Sequence, residues 1–144
     1  MKKYIFVVSL LCLLAACTGK RQGEAAVEIA ALPAVEDVVM YQVNPRVFAP
    51  EKSFKAVERR LDSIQALGIN VVWFMPINEV GQEKSVNSPY CVKDYKGVNP
   101  EFGTLDEFKA LVATCHQKGM NVIIDWVANH TSWDNAWIAN KEWY

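Results

Sequence analysis

Residues 69–76 read Ile69-Asn70-Val71-Val72-Trp73-Phe74-Met75-Pro76. A hydrophobic run this dense and short, stopped by a proline, leaves no polar face to turn toward water. It therefore predicts a strand of a parallel sheet buried on both faces. Upstream, Phe54, Val57, Leu61, Ile64 and Leu67 recur every three or four residues, which predicts a helix with one apolar face, capped by Ser53 and stopped by Gly68. Before that helix, residues 38–43 (Val-Val-Met-Tyr-Gln-Val) form a second apolar run closed by Asn44-Pro45 and read as the first strand. Strand, helix, strand in that order implies a right-handed parallel crossover.

The same unit then repeats. Thr104-Leu105-Asp106-Glu107 has the spacing of a capping box, in which the threonine hydroxyl and the glutamate side chain each satisfy an amide of the first turn. Leu105, Phe108, Leu111, Val112 and Cys115 supply the buried stripe of that helix, and Gly119 ends it. Residues 121–127 (Asn-Val-Ile-Ile-Asp-Trp-Val) read as a third buried strand carrying one charge, Asp125, near its C-terminal end. Alternation of this kind specifies an α/β fold, either an open doubly wound sheet or a (β/α)8 barrel. A whole barrel takes about 250 residues, so a 144-residue chain is expected to hold only about three strands and two helices of one. Between the second strand and second helix, residues 76–103 make a long connection punctuated by Gly81, Pro89, Gly97, Pro100 and Gly103. Loops of that length inside a compact domain usually carry function.

Composition narrows the partners. Hydrophobic residues at 51% provide for a core, and a net charge of −1 without a basic patch argues against nucleic acid. At the N-terminus, Lys2-Lys3 precede an apolar run from Tyr4 to Leu14 that matches an export signal and is too short for the about 20 residues of a membrane span. Leu14-Ala15-Ala16-Cys17 resembles a bacterial lipobox, so residues 1–16 are expected to be a lipoprotein signal peptide and Cys17 the lipidated N-terminus. Residues 17–37 then read as a flexible tether and residues 38–144 as the folded part. The two cysteines left in the folded part, Cys91 and Cys115, are spaced for neither a zinc site nor a disulfide framework.

In parallel α/β folds the chemistry gathers at the carboxyl ends of the strands. Asp125, Asn129 and His130 lie there after strand three, Tyr90 and Asp94 in the long loop, and Tyr41, Gln42 and Asn44 at the end of strand one. An isolated carboxylate in an apolar strand costs several kcal/mol, so Asp125 must have partners. His130 alone reads as a structural histidine, and His116 as a helix-end group without a role. A metal enzyme built on Asp125, Asn129 and His130 is disfavoured, because three ligands so close along one strand end do not converge on one ion.

Taken together, these segments resemble a known family. Asp125-Trp126-Val127-Ala128-Asn129-His130 is similar to the first conserved region of α-amylase-family glycoside hydrolases (glycoside hydrolase family 13). Residues 88–95 (Ser-Pro-Tyr-Cys-Val-Lys-Asp-Tyr) and 98–104 (Val-Asn-Pro-Glu-Phe-Gly-Thr) resemble that family's link between second strand and second helix. Gly68 to Pro76 looks like its second strand, and Gly119-Met120 like the entry to its third. The resemblance spans about residues 38–144 and implies the N-terminal part of a (β/α)8 (TIM) barrel, α-glucan or maltooligosaccharide substrates, and retaining hydrolysis through a glycosyl-enzyme intermediate.

Carried over by position, the resemblance implies that Tyr90 stacks on a sugar ring, His130 binds that sugar's hydroxyls, and Asp125 organises the pocket from beneath. It also makes Asn129 the counterpart of a calcium ligand in those relatives that bind calcium, the one cofactor it implies. The family's nucleophile, acid/base and transition-state-stabilising carboxylates belong to the fourth, fifth and seventh strands. No catalytic residue therefore falls within this chain, and Asp94 and Glu101 do not substitute. Asn87 stands where exo-acting α-glucosidase relatives often carry an aspartate, a tilt toward an amylase-like enzyme. Trp133, Trp137, Trp143 and Tyr144 are expected to pack into a loop core. The expectation is thus a fragment of a lipid-anchored glycosidase of the bacterial cell envelope, facing periplasm or exterior and inactive as it stands. The alternative is a membrane-tethered glucan-binding module without catalysis.

Overall fold

The structure, a computed structural model, describes residues 31–144; the expected signal peptide, Cys17 and residues 18–30 of the tether lie outside the described residues. Strands form in the chain order β1 (Met40–Val43), β2 (Val71–Phe74), β3 (Glu79–Val80), β4 (Val92–Asp94) and β5 (Asn121–Ile124). β1, β2 and β5 make a parallel sheet with β2 in the middle, and β3 and β4 pair antiparallel as a separate ribbon. The helices are α1 (Pro45–Phe48), α2 (Ser53–Glu58), α3 (Leu61–Gln65) and α4 (Leu105–Gln117).

Register decides which way each strand residue points. Val43, Phe74 and Ile124 are paired across the sheet, as are Gln42, Trp73 and Ile123. Side chains alternate along a strand, so these are opposite faces. Val43, Val72 and Phe74 are buried in one cluster with Phe54, Val57 and Leu61 from α2 and α3 and with Phe108, Leu111 and Cys115 from α4. Both crossovers therefore lay their helices on the same face of a sheet whose strands follow chain order. A doubly wound sheet would reverse direction; successive units of a barrel do not.

Aromatic packing joins the layers. The Phe54 ring lies 5.0 Å from that of Phe108 and 6.1 Å from that of Phe102, and Phe108 meets Phe74 edge-on at 5.5 Å. The predicted capping box is present: Glu107 N–H donates to Thr104 Oγ1 at 3.1 Å, and Thr104 N–H to Glu107 Oε2 at 2.9 Å. Before β1, Asn70 Nδ2 donates to the Asp37 carbonyl at 2.7 Å and Asn121 Nδ2 to the Ala31 carbonyl at 3.2 Å, which ties residues 31–37 to the amino ends of the sheet. Among the described residues no helix is long and apolar enough to cross a membrane.

Several expectations are corrected. The single helix predicted from Ser53 to Leu67 is two, because at the Arg59-Arg60 junction the Arg60 amide bonds the Val57 carbonyl at 2.8 Å, tightening the turn. Leu67 falls beyond the second piece and is exposed. Ser53 is not the cap. Lys52 takes that position at φ 50°, while the buried Ser53 hydroxyl donates to the Pro45 carbonyl at 2.5 Å, bracing α1 against α2. α1 itself was not foreseen; Asn44 caps it by accepting from Arg46 N–H at 3.1 Å, with Pro45 at the first helical position. The long connection holds the β3–β4 ribbon rather than irregular chain alone. Leu105, placed in the buried stripe of α4, sits exposed in its first turn. The third strand ends at Ile124 and is not buried on both faces: Ile123 is 44% and Ile124 42% exposed, because β5 has a partner on one side only among the described residues.

Cys115 is fully buried on the inner face of α4, and burial pushes its thiol up to about 12. Iodoacetamide at about pH 8 should therefore label the half-buried Cys91 in the folded protein and spare Cys115 until denaturant is added. Peptide mapping by mass spectrometry checks this; equal labelling of both would contradict the core packing.

Candidate functional site

Asp125 follows β5 directly, and its backbone N–H donates to the Phe74 carbonyl at 2.9 Å, so the ladder to β2 carries one residue past the strand. Two residues beyond Ile123, it points to the face that carries Trp73. There Trp73 Nε1–H donates to Asp125 Oδ1 at 2.6 Å and the Tyr90 hydroxyl donates to Oδ2 at 2.9 Å. Each carboxylate oxygen thus has a donor, which meets the cost of placing the charge beside apolar neighbours. The hydrogen bond to Asp125, with burial and the carboxylate's charge adding to it, raises the Tyr90 phenol above its ordinary value. The phenol therefore keeps its proton, and this bond, at and well above neutral pH.

Tyr90 reaches Asp125 because its loop is pinned from several sides. Its own amide donates to Ser88 Oγ at 3.3 Å, and the next residue, Cys91, donates to the Ser88 carbonyl at 3.0 Å and accepts from Gly81 N–H at 2.9 Å. The Val92 carbonyl receives both Ser132 N–H (2.9 Å) and Asn135 Nδ2 (3.2 Å), so the ribbon is clamped to the segment after β5. Asp134 Oδ2 accepts from Gln82 N–H at 3.0 Å, and that amide bond is the main reason its carboxyl titrates below the usual range. On the other side, Arg46 donates to the Asn87 carbonyl at 2.7 Å.

The clamp closes over Gly81, where a Cβ would sit 2.3 Å from Ser132 Cβ and 2.4 Å from Asp134 Oδ1. Gly81→Val should consequently displace the ribbon and cost about 1–3 kcal/mol, the ordinary scale of overpacking. A urea melt followed by tryptophan fluorescence reads this; an unchanged midpoint would show that the clamp is not closed.

His130 and Asn129 are exposed beyond Asp125. The Tyr95 hydroxyl reaches the carbonyls of Val127 (2.5 Å) and His130 (2.8 Å), which holds their loop. Asn129 Nδ2 lies 3.3 Å from His130 Nδ1. Which ring nitrogen carries the proton depends on the imidazole tautomer. Tyr90 and Asp125 are brought together, as are Asn129 and His130; no hydrogen bond among the described residues joins the two pairs.

The other candidates serve locally. Asn44 caps α1, Tyr41 packs against the core, and Asp94 accepts from Lys96 N–H at 2.8 Å. Asn129 offers calcium one hard oxygen, and among the described residues no group of three or more acidic, histidine or cysteine side chains is placed to hold an ion with it. These residues alone do not make up the about six to eight oxygens calcium takes.

The terminal aromatics depart from the expected loop core. Trp133, Trp137, Trp143 and Tyr144 are all exposed. Trp137 lies flat on Tyr95 at 5.2 Å and 12°, Trp143 meets Trp137 edge-on at 6.4 Å, and Trp133 sits under the Lys84 ammonium at 4.0 Å. Two residues of consequence were missed in the sequence: Trp73, whose indole shares Asp125, and Tyr95, which holds the His130 loop. The signal for Trp73 was present, a polar ring edge in an otherwise aliphatic strand that needs an acceptor when half-buried.

Comparison with known proteins agrees with this geometry. Residues 52–143 match the alpha amylase catalytic domain. The chain is 33% identical over 112 residues to the probable oligo-1,6-glucosidase 2 of Bacillus subtilis (strain 168), covering 74% of this chain and 19% of that protein. It is 38% identical over 103 residues to the amino acid transporter heavy chain SLC3A1 of Homo sapiens, covering 68% of this chain and 15% of that one. Among solved structures, an alpha-amylase from Lactobacillus plantarum superposes with a TM-score of 0.70 at 40% identity, over 75% of this chain and 27% of that chain. The chain therefore spans about a fifth of the length of the curated relatives it matches, and its strand–helix units are part of a (β/α) barrel. On its sequence match and its fold, the chain belongs to the alpha-amylase family, within the catalytic domain.

Proposed function

We propose that the protein to which this chain belongs acts on α-glucans or maltooligosaccharides by retaining hydrolysis, and that Tyr90, Asp125 and His130 are its sugar-binding residues in this part. The observation that carries the reading is the Tyr90–Asp125–Trp73 arrangement at the carboxyl end of the sheet. A partly exposed phenol ring, locked by its hydroxyl to a fixed carboxylate, offers a flat apolar face to a pyranose, and the exposed imidazole of His130, five residues beyond that carboxylate, suits the sugar's hydroxyls. Retaining hydrolysis needs two carboxylates about 5–5.5 Å apart across the bond. The motifs assign neither to this chain, so alone it binds without cleaving. The lipobox reading makes Cys17 the acylated residue, holding the protein to a membrane of the bacterial cell envelope; replacing Cys17 with serine should move the protein from the detergent-extracted to the soluble fraction.

The test is calorimetric titration of the chain with maltotriose, with cellotriose as control. Binding of the α-linked sugar, weakened at least tenfold by Tyr90→Ala, supports the reading; no discrimination between the two sugars contradicts it.

A further inference from the structure

The loop that joins β3 to β4 holds a backbone conformation that side chains resist. Lys84 lies at φ 53°, Val86 at 46° and Asn87 at 57°. Asparagine visits this left-handed region readily, whereas a β-branched residue such as valine is crowded there by its own backbone. Burial offers Val86 no compensation, since it is 95% exposed. Contacts made by its neighbours must therefore hold the loop in this shape.

Part of the hold is internal. Ser85, itself buried, accepts from Asn87 N–H through its hydroxyl at 3.1 Å and from Ser88 N–H through its carbonyl at 3.0 Å. At the start of the loop the Lys84 ammonium rests on the Trp133 ring. Among the described residues, the only hydrogen bonds that reach residues 84–89 from outside the 81–91 loop come from Arg46. Its Nη1 donates to the Asn87 carbonyl at 2.7 Å, and its Nη2 lies 3.5 Å from Asn87 Oδ1. Arg46 is itself fixed, because α1 follows β1 directly, Asn44 caps it, and the Ser53 hydroxyl braces the adjoining Pro45 carbonyl. It takes part in no ion pair among the described residues, so its charge is directed at this carbonyl.

Asn87 stands three residues before Tyr90, with Pro89 between them restricting the backbone and Ser88 Oγ accepting from Tyr90 N–H at 3.3 Å. Tyr90 is thus held at two ends: its hydroxyl by Asp125 after β5, and its backbone, through Asn87 and Ser88, by Arg46 after β1. We propose that Arg46 is a positioning residue of the sugar site, which keeps the 84–88 loop in its left-handed conformation and so fixes the direction in which Tyr90 presents its ring. The inference rests on the reading of Tyr90 given above.

The experiment titrates the full chain with maltotriose by calorimetry and takes a urea midpoint for every variant. Arg46→Ala should weaken binding about fivefold or more, through loss of one charge-assisted hydrogen bond. Its midpoint should stay close to that of wild type, because the freed loop relaxes while the sheet stays folded. Arg46→Lys, which can still donate to the Asn87 carbonyl, should bind within about twofold of wild type. Val86→Asn places a residue that accepts positive φ at an exposed position, so in the Arg46→Ala background it should restore most of the lost affinity. If Arg46→Ala binds like wild type while Tyr90→Ala loses the sugar, Arg46 positions nothing and the Tyr90 reading stands. An Arg46→Ala loss that Val86→Asn does not restore, or a midpoint that falls along with the affinity, overturns the inference as well. If wild-type protein does not bind maltotriose, or Tyr90→Ala binds it unchanged, the Tyr90 reading fails and this inference fails with it.

Discussion

Phe54→Ala should destabilise the folded part by about 3–5 kcal/mol, the cost of removing a fully buried phenyl ring and leaving the cavity open. Phe54 is inaccessible to solvent and packs against Phe102 and Phe108, so it ties α2 to α4 and to the loop that leads into α4. Domains of this size have only about 5–15 kcal/mol in total, and the variant should be substantially unfolded at temperatures where wild type is not. Leu67→Ala is the discriminating partner. Leu67 shares the apolar spacing in the sequence but lies exposed beyond α3, so its loss should stay within about 0.5 kcal/mol. Urea melts by circular dichroism read both, and equal effects would mean that the helix is continuous after all.

Asp125→Ala should have the second large effect. It strands two donors at once, the Trp73 indole N–H and the Tyr90 hydroxyl. A half-buried donor left without an acceptor costs about 1–3 kcal/mol; the exposed Tyr90 hydroxyl can turn to water, and the cost falls mainly on Trp73. The functional loss should be larger than the loss of stability. With its hydroxyl released, the Tyr90 ring no longer has a fixed orientation, and maltotriose affinity should fall at least tenfold. Asp125→Asn separates the two effects, since its amide offers one acceptor and turns an N–H toward the other donor. It should keep most of the stability and lose most of the binding.

How much of this was legible depends on whether a residue's partners lie nearby in sequence. The β2 run and the Thr104–Glu107 box could be read because the strand's hydrophobic density and the box's spacing are local, and both are in the structure. Asp125 could be flagged because a charge in an aliphatic run needs partners whatever they are; that these are Trp73 and Tyr90 follows only from the β2–β5 register and the pinned loop. The β3–β4 ribbon left no pattern, since strands of two and three residues are too short to show alternation. The break at Arg59-Arg60 was hidden for the opposite reason: Phe54, Val57, Leu61 and Ile64 keep one buried face through it. Trp126, Trp137 and Trp143 illustrate the remaining limit. Composition favours burying a tryptophan, yet whether a ring is covered depends on what stands opposite it in space.

The most direct test of the account is the Trp73 indole N–H signal in a ¹H–¹⁵N NMR spectrum of the chain during titration with maltotriose. Its short bond to Asp125 should place it well downfield, and it should shift with sugar, since it shares a carboxylate with the ring on which the sugar lies. Asp125→Asn should return it toward the position of an exposed indole and abolish the response. A Trp73 signal that ignores the sugar while other resonances move would show that glucan recognition, and with it the function assigned to this end of the sheet, lies elsewhere on the molecule.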